Sequence, residues 1–339
     1  LNRRVKTIFH DGSFSQTTYD CLGNKTAETD PAGITTGYEY DEFSRLEAVI
    51  DAAGGGTYYS YDEMGNKLSQ TDPNGNITTW AYDNLGRVSK HTLPLGQIEY
   101  FQYDPVGNVI EKTDFNGDTT TFEYTVCCNR LERKVFADNS VVSYTYTPTG
   151  KRDTVTDARG TTIYEYDLRN RLTKVTHPDA TEISYTYDPA GNRLSVTVPS
   201  GTTTYTYDEL NRLKTVNDPS DGVTTCAYDN VGNREEIIYP NGTVAAYTYD
   251  DLNRLTYLEN RKPDGEIISS YTYTLGPAGN RKQVEENTGR IVEYAYDSLY
   301  RLTEEKITDS IRGDETISYT YDAFGNRLTK TDSTGTNVY

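Results

Sequence analysis

Polar and aromatic positions alternate along the stretch Gly201 to Tyr207. Thr203, Tyr205 and Tyr207 fall on one face of an extended chain and Thr202, Thr204 and Thr206 on the other, the period of two that marks a strand. An aspartate follows, and a second short run, Arg212 to Val216, leads the chain back. This unit recurs on tyrosine anchors at Tyr19, Tyr40, Tyr61, Tyr82, Tyr103, Tyr124, Tyr146, Tyr166, Tyr187, Tyr207, Tyr228, Tyr249, Tyr273, Tyr296 and Tyr321. The step is 21 residues from Tyr19 to Tyr124 and 20 to 25 thereafter. The position two before the anchor is aromatic in thirteen of the fifteen copies, failing at Thr17 and Cys226, so one face of the strand is specified.

The residue after the anchor is aspartate in twelve copies, among them Asp20, Asp62, Asp104, Asp188 and Asp322, and Thr125, Thr147 and Thr274 replace it in the others. Asp62 to Gly65, Asp104 to Gly107, Asp188 to Gly191 and Asp322 to Gly325 spell DxxG. That is the spelling of a type I turn, with a carboxylate accepting the turn's own N–H groups and glycine where φ turns positive. The exit has two spellings: Leu194 lies seven after its anchor, but Leu213 only six. One residue of slip turns a side chain to the other face, so the longer spelling predicts a bulge with glycine in the left-handed conformation. Asn170, Asn211 and Asn253 suit that conformation too, Ser44 and Tyr300 less well. A second turn closes each unit, as at Asp30 to Gly33 and Asp72 to Gly75.

Fixed self-similarity of this length means a repeat architecture in which neighbours bury one another. Residues 1–339 therefore read as one continuous array of about fifteen repeats, cut within a repeat at both ends. About thirty strands at 4.8 Å spacing would run roughly 140 Å, too far for a flat open sheet. The fold expected is all-β: tandem hairpins forming a long antiparallel sheet, wound into a curved or spiral hollow shell.

Composition narrows the function. With 33 Lys and Arg against 51 Asp and Glu, a net charge of −18, the chain lacks the basic footprint of a nucleic-acid binder. No run of residues is apolar enough to cross a membrane as a helix. Cys21, Cys127, Cys128 and Cys226 have neither metal spacing nor scaffold density. They read as packed or incidental thiols, with a vicinal disulfide at Cys127 and Cys128 as a secondary reading. His10, His91 and His177 read as turn and surface residues, without the constellation of a hydrolase. The aspartates supply one carboxylate per repeat, whereas a calcium loop gathers several in a short stretch. Neither metal nor cofactor is expected. The aromatic rows read as cross-strand packing, with sugar stacking as the alternative.

The spellings YDPAGNRL (Tyr187 to Leu194), YDAFGNRL (Tyr321 to Leu328) and YDELNRL (Tyr207 to Leu213) resemble the YD repeat of the RHS (rearrangement hotspot) family. That family includes bacterial polymorphic-toxin carriers, shell components of insecticidal toxin complexes, wall-associated proteins and teneurins. The resemblance covers essentially the whole chain. It implies a shell that encapsulates or displays another domain of the parent protein, and a secreted or cell-surface location, bacterial by preference. The family's closing DPxGL element is not found; Asp30 to Gly33, Asp72 to Gly75 and Asp188 to Gly191 share its letters but continue into further repeats. The expectation is a non-catalytic wall segment whose partner is the remainder of the parent chain or its cargo, with an adhesion or carbohydrate-binding module, and hence glycans, as the alternative.

Overall fold

The computed structural model describes residues 3–339; residues 1 and 2 of the array lie outside the described residues. The described residues form 32 strands and no helix. Each pairing recorded between them is antiparallel and joins strands adjacent in the chain, as Thr35–Tyr40 with Leu46–Ile50 and Ile98–Tyr103 with Val109–Thr113. The protein is all-β, a succession of hairpins in antiparallel sheet. Contacts divide it into two compact units, one built from Leu1–Thr78 with Ala227–Tyr339 and the other from Thr79–Cys226.

Threonine, tyrosine and valine fill the strands because their branched or planar side chains pack well on a pleated surface. Threonines stand opposite one another across strands and share their hydroxyls, as Thr206 with Thr215 at 2.6 Å and Thr145 with Thr154 at 2.7 Å. Full burial is rare. Among apolar side chains only the small or branched Ala48, Val175, Ile237, Ala245, Val284 and Val292 are buried among the described residues. Cross-strand ladders, each pair contributing on the order of 0.2–1 kcal/mol, therefore carry much of the stability.

Both exit spellings fold alike, which corrects the expectation from their lengths. Thr186 faces Ser195 and Tyr187 faces Arg193; likewise Thr206 faces Thr215 and Tyr207 faces Leu213. The same bulge stands just before the anchor in each. Positive φ falls four residues after the anchor in both, at Gly191 (104°) and Asn211 (60°). The turn has one length, and the extra letter moves the leucine instead. Leu213 stands opposite its tyrosine, whereas Leu194, one place beyond Arg193, turns to the other face and is exposed.

A second correction concerns Tyr273. Its strand continues to Leu275, the register shift lies between Thr274 and Leu275, and Leu275 faces Arg281. Leu275 holds the anchor position and Gly276 that of the aspartate, with Gly279 at a φ of 88° closing the turn. Tyr273 occupies the place two before.

Candidate functional site

The side chains with the most chemistry gather in the row of YD turns. In each standard turn the carboxylate faces back into the loop. Asp62 Oδ1 accepts the N–H groups of Met64 (2.9 Å) and Asn66 (2.8 Å), and Asp104 does the same for Val106 (3.0 Å) and Asn108 (2.8 Å). The turn's backbone closes around it: the Gly107 N–H meets the Asp104 carbonyl at 3.2 Å, and the Asp104 N–H meets the Asn108 carbonyl at 2.9 Å. Asp20, Asp188 and Asp322 cap in this manner as well. Gly65 and Gly107 take φ of 89° and 101°, and Gly191 and Gly325 of 104° and 101°, where a side chain would strain the backbone. Hydrogen bonds to the ionised form hold these carboxyls below their ordinary range. In Asp62 the largest cause is the Asn66 side-chain amide, in Asp83 the Arg87 guanidinium.

Where the sequence showed a packing residue, the anchor tyrosine makes a second bond. Its hydroxyl crosses to the preceding repeat and donates to the backbone carbonyl six residues after that repeat's anchor. Tyr61 reaches Leu46 (2.8 Å), Tyr103 reaches Val88 (2.8 Å), Tyr124 reaches Val109 (2.9 Å) and Tyr187 reaches Leu172 (2.7 Å). Tyr166, Tyr207, Tyr249 and Tyr321 reach Arg152, Arg193, Arg234 and Leu302 in the same way, and Tyr19 reaches Arg4 at 3.4 Å. Tyr40, Tyr82, Tyr228 and Tyr296 hold the same strand-end position. Burial pushes the hydroxyls of Tyr61, Tyr103 and Tyr124 above their ordinary range. A signal for this bond exists in the sequence. The place two before the anchor accepts Trp80, Phe101 and Phe122, whereas no anchor is phenylalanine.

The residue five after the anchor follows a pattern that a single repeat hides. It reads Asn24, Arg45, Asn66, Arg87, Asn108, then Lys151, Arg171, Asn192, Arg212, Asn233, Arg254, and, counted from the corrected anchor Leu275, Asn280, Arg301, Asn326. Arg130, in the one YD turn with an extra residue, keeps the alternation, and Lys151 stands in an asparagine place. Both types bond their own aspartate: Asn66 Nδ2 meets Asp62 Oδ2 at 2.8 Å, and Arg87 Nε meets Asp83 Oδ2 at 2.7 Å. They differ in how they reach the next turn. Arginine extends Nη1 to the aspartate carbonyl of the following repeat, Arg45 to Asp62 (2.7 Å), Arg171 to Asp188 (2.8 Å) and Arg301 to Asp322 (2.7 Å). Three asparagines instead donate to the side chain of the left-handed residue in the following turn, Asn24 to Ser44 (3.1 Å), Asn192 to Asn211 (2.8 Å) and Asn233 to Asn253 (2.9 Å), whereas Asn66 is followed by Gly86. That bond accounts for Ser44, Asn211 and Asn253, non-glycine residues at φ of 61°, 60° and 59°. Each offers an acceptor that glycine lacks, which offsets the backbone cost. The arginines also lie over the next anchor ring, 4.5 Å for Arg87 over Tyr103 and 4.7 Å for Arg171 over Tyr187.

Within the unit of Leu1–Thr78 and Ala227–Tyr339, repeats far apart in sequence meet through their turns. Asn74 donates to Asp322 Oδ2 at 2.9 Å, and the Tyr300 hydroxyl donates to Asp30. His10 lies 3.5 Å from Asp251, and Asp11 lies 3.9 Å from Arg254. A hollow of about 450 Å³ lies beside the second of these contacts, lined by Ser15, Asp30, Pro31, Ala52, Leu299 and Tyr300. Tyr300 stands at φ 59°, and its hydroxyl is pushed far up by burial and by the Asp30 carboxylate. Strain at a bulky residue is thus placed where that side chain makes a long-range bond.

One expectation about a single residue needs correction. His91 is neither in a turn nor at the surface. It lies in the strand Val88–Thr92, stacked on Trp80 at 5.1 Å, with Nδ1 3.0 Å from Glu99 and Nε2 buried without a partner. Glu99 is bound in turn by Lys112 at 2.8 Å. Of the packed and incidental readings of the cysteines, the exposure of Cys21, Cys127 and Cys128 leaves the incidental one for these three, and Cys226 is half-buried. Among the described residues no three His, Cys, Asp or Glu side chains are grouped to hold a metal ion, and no helix is long and apolar enough to cross a membrane.

Comparison with known proteins adds to this geometry. The family model described as teneurin YD-shell matches residues 3–178, and an RHS repeat model matches residues 166–203, 187–224 and 207–244. No curated protein matches the chain. Solved structures with a similar fold include a TcdB2-TccC3-Cdc42 structure (TM-score 0.79) and TcdB2-TccC3 itself (TM-score 0.78). A third is the Tc holotoxin pore of Photorhabdus luminescens (TM-score 0.77). Each is 16% identical, and the alignment covers 95–97% of this chain. The chain spans 22% of the length of these solved chains.

Proposed function

This chain belongs to the teneurin YD-shell family, and from that membership we propose that it is a non-catalytic stretch of shell wall that encloses or displays another domain of its parent protein, as one array of about fifteen repeats. The observation that carries the reading is the contact of turn against turn between residues about 250 positions apart, Asn74 with Asp322 and Asp30 with Tyr300. Such bonds join distant stretches of one unit, as a wall that closes on itself requires. The reactive side chains support the reading by where they are used. The aspartates cap turns, the anchor hydroxyls hold the preceding strand, and the arginines tie each turn to the next.

The fold shared with TcdB2-TccC3 favours a bacterial, secreted or surface-displayed parent, with a cargo domain as partner. The test is limited proteolysis of the parent protein. A domain enclosed by the wall survives a protease dose that destroys the same domain expressed alone. Asn74→Ala with Tyr300→Phe, which opens the turn contacts, makes it cleavable. Equal cleavage with and without the array refutes the proposal.

A further inference from the structure

One YD turn departs from the other YD turns. After Tyr124 the aspartate is replaced by Thr125, and one residue is added: the Thr125 N–H meets the Arg130 carbonyl at 2.8 Å, and the Asn129 N–H meets the Thr125 carbonyl at 3.1 Å. In the standard turn the same two bonds span one residue fewer, as between Asp104, Gly107 and Asn108. The added length places Cys127 and Cys128 side by side at the loop apex, both exposed, with their Sγ atoms 2.8 Å apart.

From this geometry we propose that Cys127 and Cys128 form a redox site that exchanges with low-molecular-weight disulfides and closes into a vicinal disulfide. The Cys127 thiolate attacks one sulfur of the external disulfide, whose S–S bond breaks, and one thiolate leaves. Cys128 then loses its proton and attacks the Cys127 sulfur, expelling the second thiolate. Two cysteine thiols are oxidised, and one external disulfide is reduced to two thiols.

The surroundings favour the first step. The S–H of Cys128 holds the Cys127 thiol below its ordinary range, with smaller help from Thr125 and the Arg130 charge. The Cys128 thiol is raised by the same partnership, which divides the pair into attacking and resolving residues. Replacement of aspartate by Thr125 also removes the carboxylate that would oppose a thiolate here. Cys21, beside the Asp20 carboxylate and alone, lacks each of these features. Adjacent Cα atoms stand about 3.8 Å apart, closer than disulfides usually bridge, so the closed form is strained and easily reduced.

The experiment incubates the whole chain with glutathione disulfide, quenches by alkylation and examines the tryptic peptide 113–130, which holds this pair but neither Cys21 nor Cys226. The peptide is expected to lose two hydrogen atoms without gaining glutathione and to recover on treatment with dithiothreitol, while Cys21 accumulates a mixed disulfide. Cys128→Ser, in which the serine hydroxyl replaces the S–H donor and Thr125 and Arg130 remain, traps glutathione on Cys127 at a higher rate than Cys127→Ser traps it on Cys128. A wild-type peptide that keeps glutathione, or stays a dithiol after Cys21 has reacted, overturns the proposal. So do equal rates for the two variants.

Discussion

Replacing Tyr103 by phenylalanine isolates one bond between two repeats. The ring and its contact with Arg87 at 4.5 Å remain, while the 2.8 Å bond to the Val88 carbonyl is lost. A bond of this kind contributes about 0.5–1.5 kcal/mol net, and the stranded carbonyl sits partly buried between two strands, which places the loss near 1 kcal/mol. Trp80, the only tryptophan, stands in the strand paired with the one that carries Val88, so its fluorescence reports on this region. With a urea slope of about 2 kcal/mol per molar the local midpoint falls by about 0.5 M. Tyr100→Phe is the control, because Tyr100 lies on the same strand, 46% exposed and on the other face. It should move the midpoint by less than about 0.25 M. Equal shifts for Tyr103→Phe and Tyr100→Phe would refute the hydroxyl's role and return the anchor to simple packing.

Three further outcomes follow from the same turns. Gly107→Ala meets no atom within 4 Å, so its cost is backbone strain alone, about 1 kcal/mol by the same urea titration; Gly107→Asn should cost less. Arg171→Lys keeps the charge but loses the fork joining Asp167 to the Asp188 carbonyl, and should cost about 1 kcal/mol, with faster amide exchange at both turns. Since the folded carboxyls of Asp62 and Asp83 titrate below their unfolded value, their contribution is complete above about pH 4 and is lost as pH falls through the lower folded value. Thermal melts should therefore be flat from about pH 7 to 5 and decline below about 4, with the decline reduced in an Asp62→Asn, Asp83→Asn double variant.

The fold was legible because each repeat restates it. Alternating threonine and tyrosine named the strand, Asp-x-x-Gly named its turn, and fifteen copies left one architecture. What escaped was information spread over more than one repeat. The alternation of Asn66 with Arg87 appears only when repeats are compared in pairs, and the bond from Tyr103 to Val88 joins two of them. Leucine misled, because GNRL and NRL look like turns of different length although the residue that moves is the leucine. Tyr273 has the look of an anchor in the sequence because Leu275 and Gly276 stand where the tyrosine and aspartate belong. The environment of His91 depends on partners across two strands, Trp80 and Glu99, and no spacing along the chain announces it.

The Asn and Arg alternation gives the array a parity. A turn of one kind is built to be followed by the other, so the smallest length that can be inserted or deleted without two like turns meeting is two repeats, about 42 residues at the 21-residue step. Lineages that lengthen or shorten such a chain by recombination should then change it mostly in even steps. An odd step would leave a seam, where an asparagine meets a second asparagine turn whose left-handed residue is glycine and offers no acceptor.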